Sequence, residues 1–439
     1  MSLSIKKPEL LAPAGNYEKL ETAIHYGADA VYLGGKDFSL RNFSGNFTDD
    51  ELESAVIYAH RHNVKIYITC NIFPRSGELS GITKFLEKIG NINADAVIIS
   101  DPGIIRAAKE IIPHIDIHLS TQANTTNSNA VLFWHELGIK RVNLARELSL
   151  AEIKYITHNL LSNPKNQRLA DQPNLFSDSI PIEIETFVHG AMCISYSGRC
   201  LLSSFLTQRD SNRGLCSHPC RWRYSVVEEQ RAGEFQPVME DERGTYIFNS
   251  KDMCMIDHIP ELCDAKISSL KIEGRMKGIS YLASVVKAYK EAIDSYFASP
   301  QNYNVKERWH RELELTYHRE YSTGFYFNDP NQILPNYNNT HRGSIHSFIG
   351  KIGRKLSSNS ILVEIKNRVS VGDTIEILLP KGDAVESKVV EIYDIKNNSV
   401  VHAQPNTTSI LKIEPQYKTS HPSDLEENLT PLNIVRKIS

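Results

Sequence analysis

Between residues 10 and 272 the chain alternates short, β-branched apolar runs with stretches spaced like helices, and few folds accept that rhythm. The runs fall at residues 10–13, 30–33, 64–70, 96–100, 115–119, 142–145, 182–188 and 269–272. Most are near-continuous in apolar residues, as expected of parallel strands whose outer face helices cover. Helix signals fill the gaps. Thr48 or Asp49 starts one helix, Pro102 opens another, and Gly138 closes a third. Eight strands in β–α order predict an α/β fold, a closed (β/α)8 TIM-barrel-like domain. A doubly wound open sheet is the competing reading, but no G-x-G-x-x-G follows the first strand.

Between the seventh and eighth runs lies a long insertion, residues 190–264, with a hairpin expected over 222–228 and 246–249. Residues 162–179 read as a polar surface loop. The text changes near residue 343, where short alternating runs (361–365, 374–379, 385–393, 399–402) are separated by Gly-Asp and Asn-Asn turns. The expected domains are therefore a barrel over residues 1–335 and a small β-barrel over 336–439.

Hydrophobic residues make up 41% and charged residues 23%, which excludes disordered and fibrous classes. No apolar run approaches the ~20 residues that cross a bilayer, so no membrane partner is expected. Residues 1–8 hold two lysines and no apolar core, and no secretory signal is read there. The expected compartment is the cytoplasm.

That placement governs the seven cysteines, which are odd in number and unsuited to a disulfide framework. Four lie close together as Cys193-x6-Cys200-x15-Cys216-x3-Cys220, all in the insertion. Clustered thiolates are soft ligands for zinc or an iron–sulfur cluster. Zinc knuckles come as two tight pairs, and only Cys216 and Cys220 make one. Iron–sulfur, zinc and free thiols all remain open on spacing alone. Cys70 and Cys263 read as core residues.

Net charge is −3, so no global basic field points to nucleic acid. Yet residues 199–223 carry five arginines against one acid, Asp210. Polar residues expected at the C-terminal ends of the strands, where barrel chemistry sits, include Gln122, Arg146, Glu147, Glu185, His189, Lys271, Glu273 and Arg275. No G-x-S-x-G, H-E-x-x-H or Walker loop is present. A Cys193 nucleophile with His189 as its base is conceivable, but it leaves the neighbouring cysteines unexplained.

The run Glu185-x-Phe187-x-x-Gly190-Ala191-Met192-Cys193-x4-Gly198-x-Cys200-x-Leu202-Ser203 resembles the signature of the collagenase-like peptidase family of unknown catalytic type, number 32. Three further blocks match it: Leu10-Leu11-Ala12-Pro13-Ala14-Gly15, Asn249-Ser250-Lys251-Asp252, and Ser269-Leu270-Lys271-Ile272-Glu273-Gly274-Arg275-Met276-Lys277. Some members of that family are RNA or ubiquinone hydroxylation proteins with a [4Fe–4S] cluster. The chain looks most like the tRNA branch, which makes 5-hydroxyuridine at the wobble position and is linked to prephenate.

The resemblance implies cluster ligation by Cys193, Cys200 and Cys216, with Cys220 favoured over Cys254 as the fourth ligand. It implies catalytic roles among Glu185, His189, Lys271, Glu273 and Arg275, of which Lys271 and Arg275 are candidates to bind a small organic carboxylate such as prephenate. Arg199, Arg213 and Arg221 would meet tRNA phosphates, and Trp222 would stack a base. Two alternatives follow from the same resemblance: a peptidase, or a non-catalytic iron–sulfur subunit partnered by another family member.

Overall fold

The structure is a computed structural model describing residues 6–39, 45–162, 182–193, 195–222, 240–241, 244–245, 250–328, 346–415 and 429–438. The expected hairpin, the polar loop and the boundary between the two domains lie largely or wholly outside the described residues.

Eight strands run parallel in sequence order: β1 (Glu9–Pro13), β2 (Ala30–Leu33), β3 (Lys65–Cys70), β4 (Ala96–Ile99), β5 (Asp116–Leu119), β6 (Arg141–Asn143), β7 (Glu183–Ala191) and β8 (Ser269–Ile272). β8 pairs with both β7 and β1, so the sheet closes on itself. Helices α1 (Tyr17–His25), α2 (Asp49–Arg61), α3 (Leu79–Asn91), α4 (Pro102–Ile111), α5 (Ser128–Glu136), α6 (Leu150–Ser162), α7 (Ile259–Asp264) and α8 (Ile279–Ala298) follow successive strands. The sequence sets their starts. Asn16 accepts from the Lys19 amide, Thr48 and Glu51 form a reciprocal capping box, and Asp101 caps the helix that opens on Pro102.

The barrel interior is more polar than its apolar runs suggested. Only a small apolar cluster, including Leu11, Tyr32, Tyr67 and Ile98, fills it. Beside it Arg141 reaches Glu9 at 2.6 Å, Glu183 at 2.6 Å and Glu185 at 3.4 Å, all through its guanidinium nitrogens. Glu185 in turn accepts from Lys271 Nζ at 2.8 Å. Two buried cations are thus matched by three carboxylates from two strands, β1 and β7, the arrangement burial of charge requires.

The C-terminal domain is a closed antiparallel barrel in the order β11-β14-β9-β10-β13-β12-β11: β9 (His346–Ser357), β10 (Ser360–Ile365), β11 (Thr374–Leu378), β12 (Val385–Asp394), β13 (Thr407–Pro415) and β14 (Ile434–Ile438). Strands β9, β13 and β14 were not expected from the sequence. In β9, glycines and three charges interrupt the alternation, and the register shifts twice against β10. Gly350 is required there, because a Cβ would sit 2.0 Å from the Glu364 carbonyl oxygen.

This barrel docks on α1, α8 and α9 (Glu307–Glu314). Tyr26 donates to the Leu378 carbonyl and accepts from the Ile434 amide, both at 2.9 Å. Buried Arg436 bridges the domains, bonding Glu312 at 2.7 and 2.8 Å and Glu376 at 2.9 Å.

Candidate functional site

A cavity of about 320 Å³ opens at the C-terminal end of the parallel strands. Its floor is barrel, with Tyr32 from β2, Asn143 from β6, Phe187 from β7 and Lys271 from β8. Its roof is the insertion, and all four clustered cysteines, Cys193, Cys200, Cys216 and Cys220, line it.

The roof is tied down at several points. Gly190 (φ +102°) lets β7 pass the end of β8 so closely that a Cβ would lie 2.4 Å from the Glu273 carbonyl oxygen. Ser197 donates its amide and hydroxyl to the two oxygens of Glu147, each at 2.6 Å, fixing the insertion to the loop after β6. Arg199 Nε donates to the Gln122 carbonyl at 2.8 Å, in the loop after β5. Arg213 forms a two-pronged pair with Glu78 at 2.7 and 2.5 Å, near the loop after β3. Ser211 and Asn212 hold the backbone of Cys200 through three hydrogen bonds. Each anchor joins positions far apart in sequence.

Lys271, expected to grip a carboxylate, is buried on Glu185 and lies 4.5 Å from the Tyr32 ring centre. Arg275 donates to Ser39 at 2.7 Å and to Asn46, holding the loop after β2, though it also lines the cavity. Glu273 lines the cavity beside the Tyr32 hydroxyl at 3.2 Å. Glu185 sits below the floor, between Lys271 and Arg141. Arg199 is exposed; Arg213 is engaged on Glu78; the Arg221 side chain lies outside the described residues; Trp222 is 43% exposed.

His189 does not reach the cavity. A register shift between β7 and β8 turns it outward, where its ring packs against Tyr281, Tyr289 and Tyr321. Burial pushes its pKa down to about 3. Cys193 has the Ser195 hydroxyl, not an imidazole, at 2.9 Å. The Cys193–His189 couple considered from sequence is therefore not formed.

A depressed histidine pKa means that the unfolded chain binds the proton first, so the stability present above pH 6.5 falls as pH drops toward 3. Going from pH 7 to pH 5 is expected to cost about 2 kcal/mol at this residue. Urea midpoints of the wild type and of His189→Gln at the two pH values check this, the variant showing the shallower dependence.

Two polar side chains on the floor and wall carry buried atoms with no partner among the described residues. Asn143 is 2% exposed, and among the described residues neither its Oδ1 nor its Nδ2 has a hydrogen bond; Gln122, at 3%, leaves its Oε1 unpaired. Arg146 lies 4.0 Å from the Phe187 ring centre with an unpaired Nε. Asn143 escaped the sequence reading because it falls inside the run 142–145. The polar–apolar alternation of Arg141, Val142, Asn143 and Leu144 was the signal.

In kind, thiols are the donors a cubane cluster takes, and four from one segment line this cavity. Cys254 does not line it; that side chain is buried beside the Tyr289 hydroxyl, and burial raises its pKa to about 12. Among the described residues no three Cys, His, Asp or Glu side chains form a ready metal-binding group.

Residues 15–336 match Peptidase family U32, and residues 345–436 match the Peptidase family U32 C-terminal domain. The chain belongs to peptidase family U32. Within that family it is 36% identical over 433 residues to tRNA hydroxylation protein P1 of Bacillus subtilis, covering 98% of this chain and 95% of that one. It is 36% identical over 418 residues to tRNA hydroxylation protein P of Escherichia coli, covering 86% and 87%. A U32 relative named collagenase, from Porphyromonas gingivalis, is 30% identical over 403 residues, covering 89% and 91%.

Proposed function

We propose that this U32 protein is a tRNA hydroxylase that converts wobble uridine to 5-hydroxyuridine, with a [4Fe–4S] cluster held by Cys193, Cys200, Cys216 and Cys220. The observation that carries the reading is that all four cysteines line one barrel-mouth cavity, in a chain similar over nearly its whole length to tRNA hydroxylation proteins.

A cluster bound there would supply one-electron redox chemistry. The chain's own residues do the rest. The insertion roofs the cavity, the Lys271–Glu185 pair lies at its floor, and Arg199 and Trp222 are exposed on that same insertion, where an anticodon loop would lie. A wobble base is unpaired when free of the codon, so it can enter such a mouth at little unpairing cost. A small organic carboxylate is proposed as co-substrate.

The peptidase reading loses the couple the sequence offered, since His189 is turned away from Cys193. The test is nucleoside mass spectrometry of tRNA from a strain deleted for this gene. Loss of 5-hydroxyuridine, restored by the protein alone, is expected; an unchanged nucleoside profile would sink the proposal. Restoration only alongside a second family member would make this chain a subunit.

A further inference from the structure

We infer that Asn143 reads the imide edge of the target uracil, and so sets which base the cavity accepts. This rests on the RNA reading above and deepens it to a residue.

The side chain is placed for the task. Asn143 ends β6, its backbone pairs with Glu185 on β7, and its side chain lines the cavity between Gln122 and Phe187. It is 2% exposed, and neither amide atom has a partner among the described residues. Buried amides are ordinarily satisfied, because an unmade hydrogen bond leaves the desolvation cost uncompensated. A ligand that bonds both atoms recovers that cost.

The chemistry of the unpaired atoms selects the ligand class. Asn143 Oδ1 is an acceptor and Nδ2 a donor, lying side by side in one plane. Gln122 Oε1 is a second unpaired acceptor in the same wall. A carboxylate satisfies only Nδ2, because it brings no hydrogen to either acceptor. The imide edge of uracil brings N3–H for Oδ1 and a carbonyl, O4 or O2, for Nδ2. This is the two-bond match by which Asn and Gln read a base edge. Ribose hydroxyls supply the donor that Gln122 needs. Nearby, Arg146 has no ion pair among the described residues and is held on the Phe187 ring, a fixed cation for the nucleotide's phosphate.

The experiment measures binding of the full-length protein to an anticodon stem-loop RNA carrying either uridine or 3-methyluridine at the wobble position. The methyl group removes the N3–H and occupies the place from which Asn143 Oδ1 would accept it. The wild type is expected to bind the uridine loop about tenfold more tightly, the scale of one lost two-bond contact. Asn143→Leu, checked for folding by its melting temperature, is expected to bind both loops alike, and Asn143→Gln to keep part of the preference. Equal binding of the two loops by the wild type overturns the inference without any variant, and so does an undiminished preference in Asn143→Leu. Binding of neither loop overturns the RNA reading itself, and this assignment with it.

Discussion

Replacing Cys216 by serine is expected to abolish both iron retention and hydroxylation, while Cys254→Ser leaves both near wild type. Iron prefers thiolate to a serine hydroxyl, and a cubane needs four ligands. Cys216 lines the cavity with Cys193, Cys200 and Cys220, and its sulfur accepts from the His218 amide at 3.4 Å. Cys254 lies outside the cavity, on the strand Asp252–Cys254 that pairs with β7, in register with His189. Anaerobically purified protein should hold about four irons per chain. The Cys216 variant should hold fewer than half and give more than a hundredfold less 5-hydroxyuridine, an order-of-magnitude expectation for losing a ligand. Iron analysis and tRNA nucleoside mass spectrometry on the same samples check it. Iron lost from Cys254→Ser and kept in Cys220→Ser would reassign the fourth ligand.

Arg141→Met is the second large effect, and it concerns stability. The substitution leaves Glu9 and Glu183 facing an apolar side chain, with Glu185 keeping only Lys271, and breaking a buried pair on one side costs about 3–5 kcal/mol. Burial opposes ionisation of Glu183, yet the charge and hydrogen bond of Arg141, with the charges of Lys140 and Lys6, together outweigh it and hold that carboxyl below its usual value of 4.5. A depressed carboxyl adds stability that is present above pH 4.5 and lost as pH falls below it. The gap between wild type and variant should therefore narrow in acid. Denaturant titrations at pH 7 and pH 4 read both numbers; a gap that widens in acid would contradict the assignment.

The parallel barrel was legible because strands covered on both sides must be apolar throughout, and such runs stand out against polar loops. Half of the C-terminal strands were not, since β9, β13 and β14 expose one face and carry lysines, glutamates and glycines. At the site, thiol spacing was visible because one short segment holds it. What positions those thiols was not. Glu147, Gln122 and Glu78 come from separate loops, and nothing local marks them as partners of Ser197, Arg199 and Arg213.

His189 shows a second kind of failure. Counting by twos from Glu185 and Phe187 points His189 into the barrel, but the register shift beside β8 reverses the phase. Lys271 and Arg275 line the cavity, yet sequence could not tell that Glu185 and Ser39 engage them.

The Arg436 crossing has an evolutionary consequence. Its two acids belong to different domains, Glu312 to the larger and Glu376 to the smaller. A terminal barrel exchanged for one from another lineage brings its arginine to a surface whose acid has to be in register already. Recombination at the junction is thus penalised unless both halves travel together, and the pair is expected to be inherited as a unit.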